Sequence, residues 1–247
     1  MAGRMAASLR LALAKSLAAE LRLREGRNLV AVGVFGSVAR GEERLHSDVD
    51  VLVVVRRKRA AIRHHVRDGV LITILQQTPQ ESRAEVTGHR PDLNAALGGW
   101  ISLRPLYDPA GLLRELAKRA RHPTQAQFRE AARQALIETY EDLGKLRNAI
   151  QSRDEDEARE MGIWYSQAAA GALLDLHERV LETGRRGFIG IRRYGAAGAA
   201  IRRLCYESLP LSEARRLAED SWEALLDLAR RKRVRLPRFA GESQGRL

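Results

Sequence analysis

Residues 31–55 read AVGVFGSVARGEERLHSDVDVLVVV, and this stretch gives the strongest indication of the fold. Its apolar, β-branched runs predict two buried strands, at residues 29–35 and 49–55. Between the runs, Gly36 and Ser37 predict a turn at which the backbone can approach an anion closely, because glycine carries no Cβ. The stretch therefore predicts a strand, a glycine-serine turn with a short basic helical stretch, and a second strand.

Two aspartates belong to the second predicted strand. Asp48 and Asp50 are separated by one residue, and side chains two apart on a strand share one face. Two convergent carboxylates beside a turn that accommodates phosphate suit Mg²⁺ carrying a nucleoside triphosphate. The structural alternative is a charged bend between two core strands.

This pattern resembles the nucleotidyltransferases of the DNA polymerase beta superfamily, whose signature is Gly-Ser, a following arginine and two carboxylates spaced by one residue. The residues that carry the resemblance are Gly36, Ser37, Arg40, Gly41, Ser47, Asp48 and Asp50. The resemblance implies that Asp48 and Asp50 bind Mg²⁺ or Mn²⁺. It also implies that Gly36 and Ser37 hold the β- and γ-phosphates, with Arg40 nearby as a charge clamp. The nucleotide-binding residues implied in this way are Gly36, Ser37, Arg40, Ser47 and Lys145.

Three further islands resemble the kanamycin nucleotidyltransferase family, in the same order along most of the chain. They are residues 105–111 (PLYDPAG), 135–150 (ALIETYEDLGKLRNAI) and 166–180 (SQAAAGALLDLHERV). By this resemblance Glu141 is the general base that removes the proton of the acceptor hydroxyl, and Lys145 contacts the α-phosphate. An ordinary ion pair at i, i+4 on one helix face is the alternative for these two residues. The family completes its active site across a subunit interface, so the resemblance also implies a homodimer.

The order of predicted elements indicates two domains. Residues 1–122 are expected to form an α/β (α+β) nucleotidyltransferase domain with a mixed sheet. Residues 123–247 are expected to form an all-α helical bundle, because β-branched residues become sparse beyond His122 and Pro123. The sequence also predicts a packing helix around residues 9–21, a basic connection with solvated histidines at 56–68, and a third strand at 70–75. A helix is predicted to begin at an N-cap at Thr78, with a capping box to Glu81. An edge strand is predicted at 102–107, and a further helix is predicted to be capped by Ser152 and Glu155.

Composition restricts the partners and the compartment. The chain has 247 residues, with 43 Lys and Arg against 31 Asp and Glu, a formal net charge of +12. This charge favours anionic partners. The single cysteine excludes an intramolecular disulfide, and no apolar run reaches the length of about 18 residues that a membrane span requires. We expect a cytoplasmic protein, and its arginine richness is compatible with a heat-adapted source. The basic residues 230–238 permit nucleic-acid binding, but we favour the explanation that these cations stabilise a helix C-terminus.

The sequence departs from the family pattern at two places. The third metal-binding carboxylate of the superfamily is expected on the next strand, where this chain has Thr73. The aminoglycoside enzymes line the acceptor pocket with carboxylates. At one matching position this chain has Ile137, and the acidic residues left in this region are Glu138, Glu141 and Asp142. A polycationic acceptor therefore fits poorly.

These features together predict a Mg²⁺-dependent nucleotidyltransferase. It would transfer a nucleoside monophosphate from a nucleoside triphosphate, with ATP as the default donor, to a small hydroxyl acceptor that is not an aminoglycoside. One alternative is a nucleotide-binding regulatory module that has lost turnover with the third carboxylate. Another is action on a protein or RNA partner, as in toxin–antitoxin pairs.

Overall fold

The computed structural model describes residues 2–90, 92–181 and 187–236 of the chain. The strands are β1 (Leu29–Phe35), β2 (Val49–Val55), β3 (Ile62–Arg67), β4 (Val70–Gln77) and β5 (Arg104–Tyr107). The helices are α1 (Ala2–Glu25), α2 (Gly36–Arg40), α3 (Pro79–Thr87), α4 (Leu93–Ser102), α5 (Leu112–Ala120), α6 (Gln125–Ser152), α7 (Glu155–Leu176), α8 (Gly187–Gly190), α9 (Gly195–Tyr206) and α10 (Leu211–Arg231). The predicted class, a mixed sheet followed by helices, is confirmed. None of the described helices is long and apolar enough to cross a lipid bilayer.

The five strands form one mixed sheet in the order β3-β4-β2-β1-β5. The pair β2–β4 is parallel and the other neighbouring pairs are antiparallel. The edge position predicted for residues 102–107 is confirmed by β5, where Pro105 is tolerated because an edge strand can spare one ladder hydrogen bond. The order places β2, which contains Asp50 and directly follows Asp48, at the centre of the sheet.

Helices cover both faces of the sheet. On one face, Ala14, Ala18 and Leu21 of α1 pack into a buried cluster with the β-branched residues of the central strands. On the other face, α3 and α5 pack against β1, β2 and β4. Gly33 of β1 permits the close approach there, because a Cβ at this residue would lie 3.1 Å from a side-chain carbon of Leu113. The central strands β1 and β2 are thus mostly buried, whereas the edge strand β3 is exposed and carries polar side chains.

The described chain divides into two compact units. The sheet unit comprises the residues up to Gly88, together with Ala95–Pro123. The helical unit comprises Thr124–Val180, the described residues from Gly187 onward, and the short segment His89–Asn94. Within it α6 packs against α7, and α9 and α10 pack against α7. The domain boundary after residue 122 stays a prediction.

Several local predictions can be compared with the structure. The N-cap at Thr78 is confirmed, with its side chain accepting from the Glu81 backbone N–H in a capping box. The cap predicted at Ser152 is wrong, because Ser152 still belongs to α6 and Asp154 caps α7 by accepting from the Glu157 N–H at 2.9 Å. In the predicted basic tail, residues 237 and 238 lie outside the described residues.

The predicted connection at residues 56–68 is also wrong, because it contains β3. This strand pairs antiparallel with β4 across a two-residue turn formed by Asp68 and Gly69, both with positive φ. Asp-Gly is the residue pair that a tight hairpin turn of this conformation prefers. The histidines predicted in a loop therefore lie on a strand of the sheet.

Candidate active site

The glycine turn and the second aspartate are in direct contact. Gly36 begins α2 directly after β1, with φ +73°, and Phe35 pairs with Asp50 in the β1–β2 ladder. A Cβ placed on Gly36 would lie only 2.8 Å from Oδ2 of Asp50. Glycine is required here for its backbone conformation and for the space that the carboxylate occupies.

The environment of Asp50 disfavours its negative charge. Burial, and secondarily the neighbouring Asp48 carboxylate, raises the pKa of Asp50 to about 6. No side chain among the described residues forms an ion pair or hydrogen bond with either aspartate. The two carboxylates repel each other without a protein counter-charge, so a bound cation would relieve the repulsion.

The aspartate pair fits a divalent metal only in part. Two carboxylate side chains are the ligands that Mg²⁺ takes beside substrate phosphates. The described residues contain no group of three or more His, Cys, Asp or Glu side chains arranged to hold a metal ion. A metal at Asp48 and Asp50 would therefore depend on phosphate oxygens and water for its remaining ligands.

The neighbouring strand carries a threonine where a third carboxylate was expected. Thr73 of β4 is the direct partner of Asp50 in the parallel β2–β4 ladder. It is in turn the partner of His64 on β3, and His64 Nδ1 lies 3.2 Å from Thr73 Oγ1. Directly paired residues share a face of the sheet. The face that presents Asp50 thus continues through Thr73 to His64.

Of the residues predicted to bind nucleotide, Ser37 and Arg40 lie on α2. Ser37 is buried. The Nε of Arg40 donates to Glu42 at 3.1 Å, and its side chain is 14% exposed. Both residues belong to the sheet unit and stand in the turn next to Asp50. Their roles toward phosphate stay predictions.

Ser47 forms hydrogen bonds that stabilise the loop preceding Asp48. Its buried hydroxyl accepts from the backbone N–H of Arg44 at 2.8 Å. Its carbonyl accepts from Nε of Arg10 at 2.8 Å, and Arg10 also donates to the carbonyl of Leu45. Arg10 is only 8% exposed. Sequence reasoning missed this buried arginine, because nothing in the α1 sequence signals a partner so distant along the chain.

Glu141 and Lys145 lie on α6, in the helical unit. Lys145 Nζ lies 2.9 Å from a carboxylate oxygen of Glu141 and 3.0 Å from one of Asp142. These contacts, first with Glu141 and then with Asp142, raise the pKa of Lys145. The side chain of Glu141 is 68% exposed. The i, i+4 pair expected from the spacing is present, and the catalytic roles of both residues stay predictions.

A further cluster of charged residues surrounds a cavity of about 270 Å³ in the helical unit. Asp175 lines it and accepts from the side-chain amide of Asn94 at 2.7 Å. Burial raises the pKa of Asp175 to about 7. Lys232, also at the cavity, pairs with Glu178 at 3.2 Å. None of the predicted site residues lines this cavity.

Part of the chain is similar to known nucleotidyltransferases. Residues 15–99 match the family of the nucleotidyltransferase domain. Aminoglycoside nucleotidyltransferases (4') from Bacillus sp. and Staphylococcus aureus are each 24% identical to this chain over 160 residues, which is 64% of this chain. The matched region spans 63% of the length of these relatives.

A solved structure extends the likeness in fold. A nucleotidyltransferase-like protein from Exiguobacterium sibiricum superposes with a TM-score of 0.60 over 88% of this chain and 76% of its own, at 12% identity. The chain is therefore similar in fold to a nucleotidyltransferase-like protein, and its residues 15–99 match the nucleotidyltransferase domain.

Proposed function

We propose that this chain is a divalent-metal-dependent nucleotidyltransferase. It transfers a nucleoside monophosphate from a nucleoside triphosphate, with ATP as the expected donor and Mg²⁺ or Mn²⁺ as the metal, to a hydroxyl group of a small acceptor. The matched domain at residues 15–99 and the likeness to aminoglycoside nucleotidyltransferases support the reaction class. The observation that carries the proposal is the contact between the Gly36 turn and Asp50, which lies in that domain.

The proposed roles follow from where the residues stand. Asp48 and Asp50 would hold the metal, and Gly36 and Ser37 would bind the β- and γ-phosphates with Arg40 neutralising their charge. When bound, the divalent metal neutralises charge on the triphosphate and on the pyrophosphate that leaves. Ser47, whose hydroxyl and carbonyl hold the loop, keeps the first aspartate in place.

The test is pyrophosphate release from nucleoside triphosphates in the presence of Mg²⁺ or Mn²⁺ with a panel of hydroxyl acceptors. We expect release by the intact chain and none by Asp48→Asn. Asp68→Asn is the matched control, because Asp68 is an aspartate of the same unit that lies in the β3–β4 turn. Equal release by all three proteins would refute the proposed metal site.

Glu141 is the proton acceptor that the resemblance proposes, and Lys145 is the proposed contact to the α-phosphate. If Glu141 takes the proton, Glu141→Gln is expected to lower turnover by about 100-fold or more, with nucleotide binding kept. Asp142→Asn is the matched control, since each variant removes one carboxylate partner of Lys145. Retained turnover in Glu141→Gln would leave that residue as an ion-pair partner only.

The acceptor is proposed to be a neutral or anionic hydroxyl compound, and not an aminoglycoside. Neither β3 nor β4 contains an acidic residue, and exposed apolar side chains, Ile62, Val66 and Leu71, share this part of the sheet. A polycation would find no carboxylates there beyond the metal-binding pair. We expect kanamycin to support turnover only at concentrations far above micromolar. Efficient adenylylation of micromolar kanamycin would contradict this expectation.

A nucleotide-binding module without turnover is the second candidate, and the threonine opposite Asp50 is the observation that favours it. This candidate predicts metal-dependent ATP binding, lost in Asp48→Asn, with no pyrophosphate release for any acceptor. The homodimer implied by the resemblance is likewise a proposal, and the molar mass in solution by sedimentation tests it.

A further inference from the structure

We propose that His64 takes the proton from the acceptor hydroxyl, with Thr73 positioning its imidazole ring. The inference rests on the proposed nucleotidyl transfer. It assigns to a residue of the sheet unit the role that the resemblance gives to Glu141. It also gives a function to the pair of residues found where a third carboxylate was expected.

A row of paired side chains crosses the sheet from β2 to β3. Asp50 pairs with Thr73, and Thr73 pairs with His64, so all three lie on one face at the same level. Adjacent strands are about 4.8 Å apart, which puts the backbones of Asp50 and His64 about 10 Å from each other. A reacting hydroxyl has room between the two side chains.

The position of the phosphate-binding turn restricts the side from which the acceptor hydroxyl can approach the α-phosphorus. In an in-line displacement, the attacking oxygen and the leaving pyrophosphate are on opposite sides of the α-phosphorus. The turn proposed to hold the β- and γ-phosphates follows β1, on one side of β2, whereas β4 and β3 lie on the other side. The acceptor hydroxyl therefore approaches from the β4 side, where Thr73 and His64 are found.

A hydrogen bond to Thr73 orients the imidazole ring of His64. Nδ1 lies 3.2 Å from Thr73 Oγ1. When Nδ1 carries the proton and donates to this hydroxyl, Nε2 keeps a lone pair that can accept a proton. His64 is exposed, so a substrate can reach Nε2. Its neighbours on the same face of β3 and β4 do not ionise, and they are Ile62, Val66, Leu71, Thr73 and Leu75.

The chemical step is then balanced. The acceptor oxygen forms a bond to the α-phosphorus as its proton moves to Nε2 of His64. The bond from the α-phosphorus to the bridging oxygen breaks, and pyrophosphate leaves with that oxygen. The resulting imidazolium returns the proton to water before the next turnover.

The experiment compares His64→Gln with His65→Gln in the pyrophosphate-release assay. His65 is the matched control: it is the next residue on β3, and it pairs with Ile72, whose side chain lies in the buried cluster against α1. We expect about a 100-fold or larger fall in turnover for His64→Gln and little change for His65→Gln. Thr73→Val is expected to cause a smaller fall, because the ring keeps its base but loses its orientation.

Two further readouts separate catalysis from structure. The acidic limb in the pH profile of turnover should disappear in His64→Gln, because glutamine cannot take up the proton. Added imidazole should restore part of the turnover of His64→Ala. The unfolding temperatures of the His64 variants should stay equal to that of the intact chain, since the side chain is exposed.

The outcomes distinguish this inference from the proposed function. Release by the intact chain that His64→Gln retains, or that both histidine variants lose equally, overturns the inference and leaves the transferase in place. Release that Glu141→Gln loses and His64→Gln keeps returns the base to Glu141. No release by the intact chain with any acceptor overturns the proposed function, and the inference falls with it.

Discussion

Asp50→Asn is expected to abolish pyrophosphate release and at the same time to stabilise the metal-free protein. Loss of one of the two carboxylates proposed to hold the metal would remove several kcal/mol of charge stabilisation, which corresponds to a fall of about 10³-fold or more in turnover. The opposite effect on stability follows from the environment of the same side chain. Burial and the Asp48 carboxylate raise the pKa of Asp50 from 3.8 to about 6, so the folded protein binds this proton more tightly than the unfolded chain does.

The sign of the pH dependence follows from this difference. Because the unfolded carboxyl ionises first, the free energy of unfolding falls as the pH rises from about 4 to about 6, and the loss is complete above the folded pKa. The full shift would correspond to about 3 kcal/mol. Solvent screening of a half-buried group reduces this, and we expect a gain of about 1 kcal/mol for Asp50→Asn at neutral pH.

Urea unfolding in EDTA, at a series of pH values from about 4 to about 8, measures this effect. The stabilisation by Asp50→Asn should be absent at the acid end and grow toward neutral pH. Asp68→Asn, in the β3–β4 turn, should change neither pyrophosphate release nor the pH dependence of stability. A stabilisation by Asp50→Asn that is the same at every pH would contradict the assigned cause.

Gly36→Ala is expected to lower turnover by about 100-fold. The new Cβ would lie 2.8 Å from Oδ2 of Asp50, so the carboxylate must move away from the position in which it would hold the metal. A displacement of about 1 Å at a reacting group is enough for an effect of this size. The backbone at φ +73° adds strain of about 1 kcal/mol to the folded state.

Gly41→Ala is the matched control for this substitution. Gly41 follows α2 with φ +68°, and a Cβ there meets nothing within 4 Å. Both alanine variants should therefore lose about 1 kcal/mol of unfolding free energy, whereas only Gly36→Ala should lose turnover. Equal turnover in the two variants would mean that the contact with Asp50 does not matter for the reaction.

The local pattern of the chain predicted much of this site. The apolar runs predicted β1 and β2, the one-residue spacing predicted that the aspartates share a face, and the Gly36 turn was predicted to approach an anion. The two strands are confirmed, because strand alternation is a local property. The roles of the aspartates and of the glycine turn stay predictions. In the structure the anion next to Gly36 is the carboxylate of Asp50.

The strand β3 shows where reading the sequence went wrong, although a signal was present. Ile62, His64 and Val66 alternate with basic residues up to the Asp68-Gly69 turn, and alternation before an Asp-Gly pair predicts a hairpin. The many positive charges obscured this alternation. The predicted connection leaves His64 in a solvated loop, whereas the structure has it on β3.

The sequence by itself determined the mixed sheet followed by helices, the turn at Gly36, and the pair formed by Asp48 and Asp50, because each depends on residues close together in the chain. The row from Asp50 through Thr73 to His64 is visible only in the tertiary structure. The same is true of the hydrogen bond by which Arg10 holds the loop before Asp48. These contacts depend on strand order and register and on the packing of α1. Such relations join residues far apart in the chain, and no local pattern encodes them.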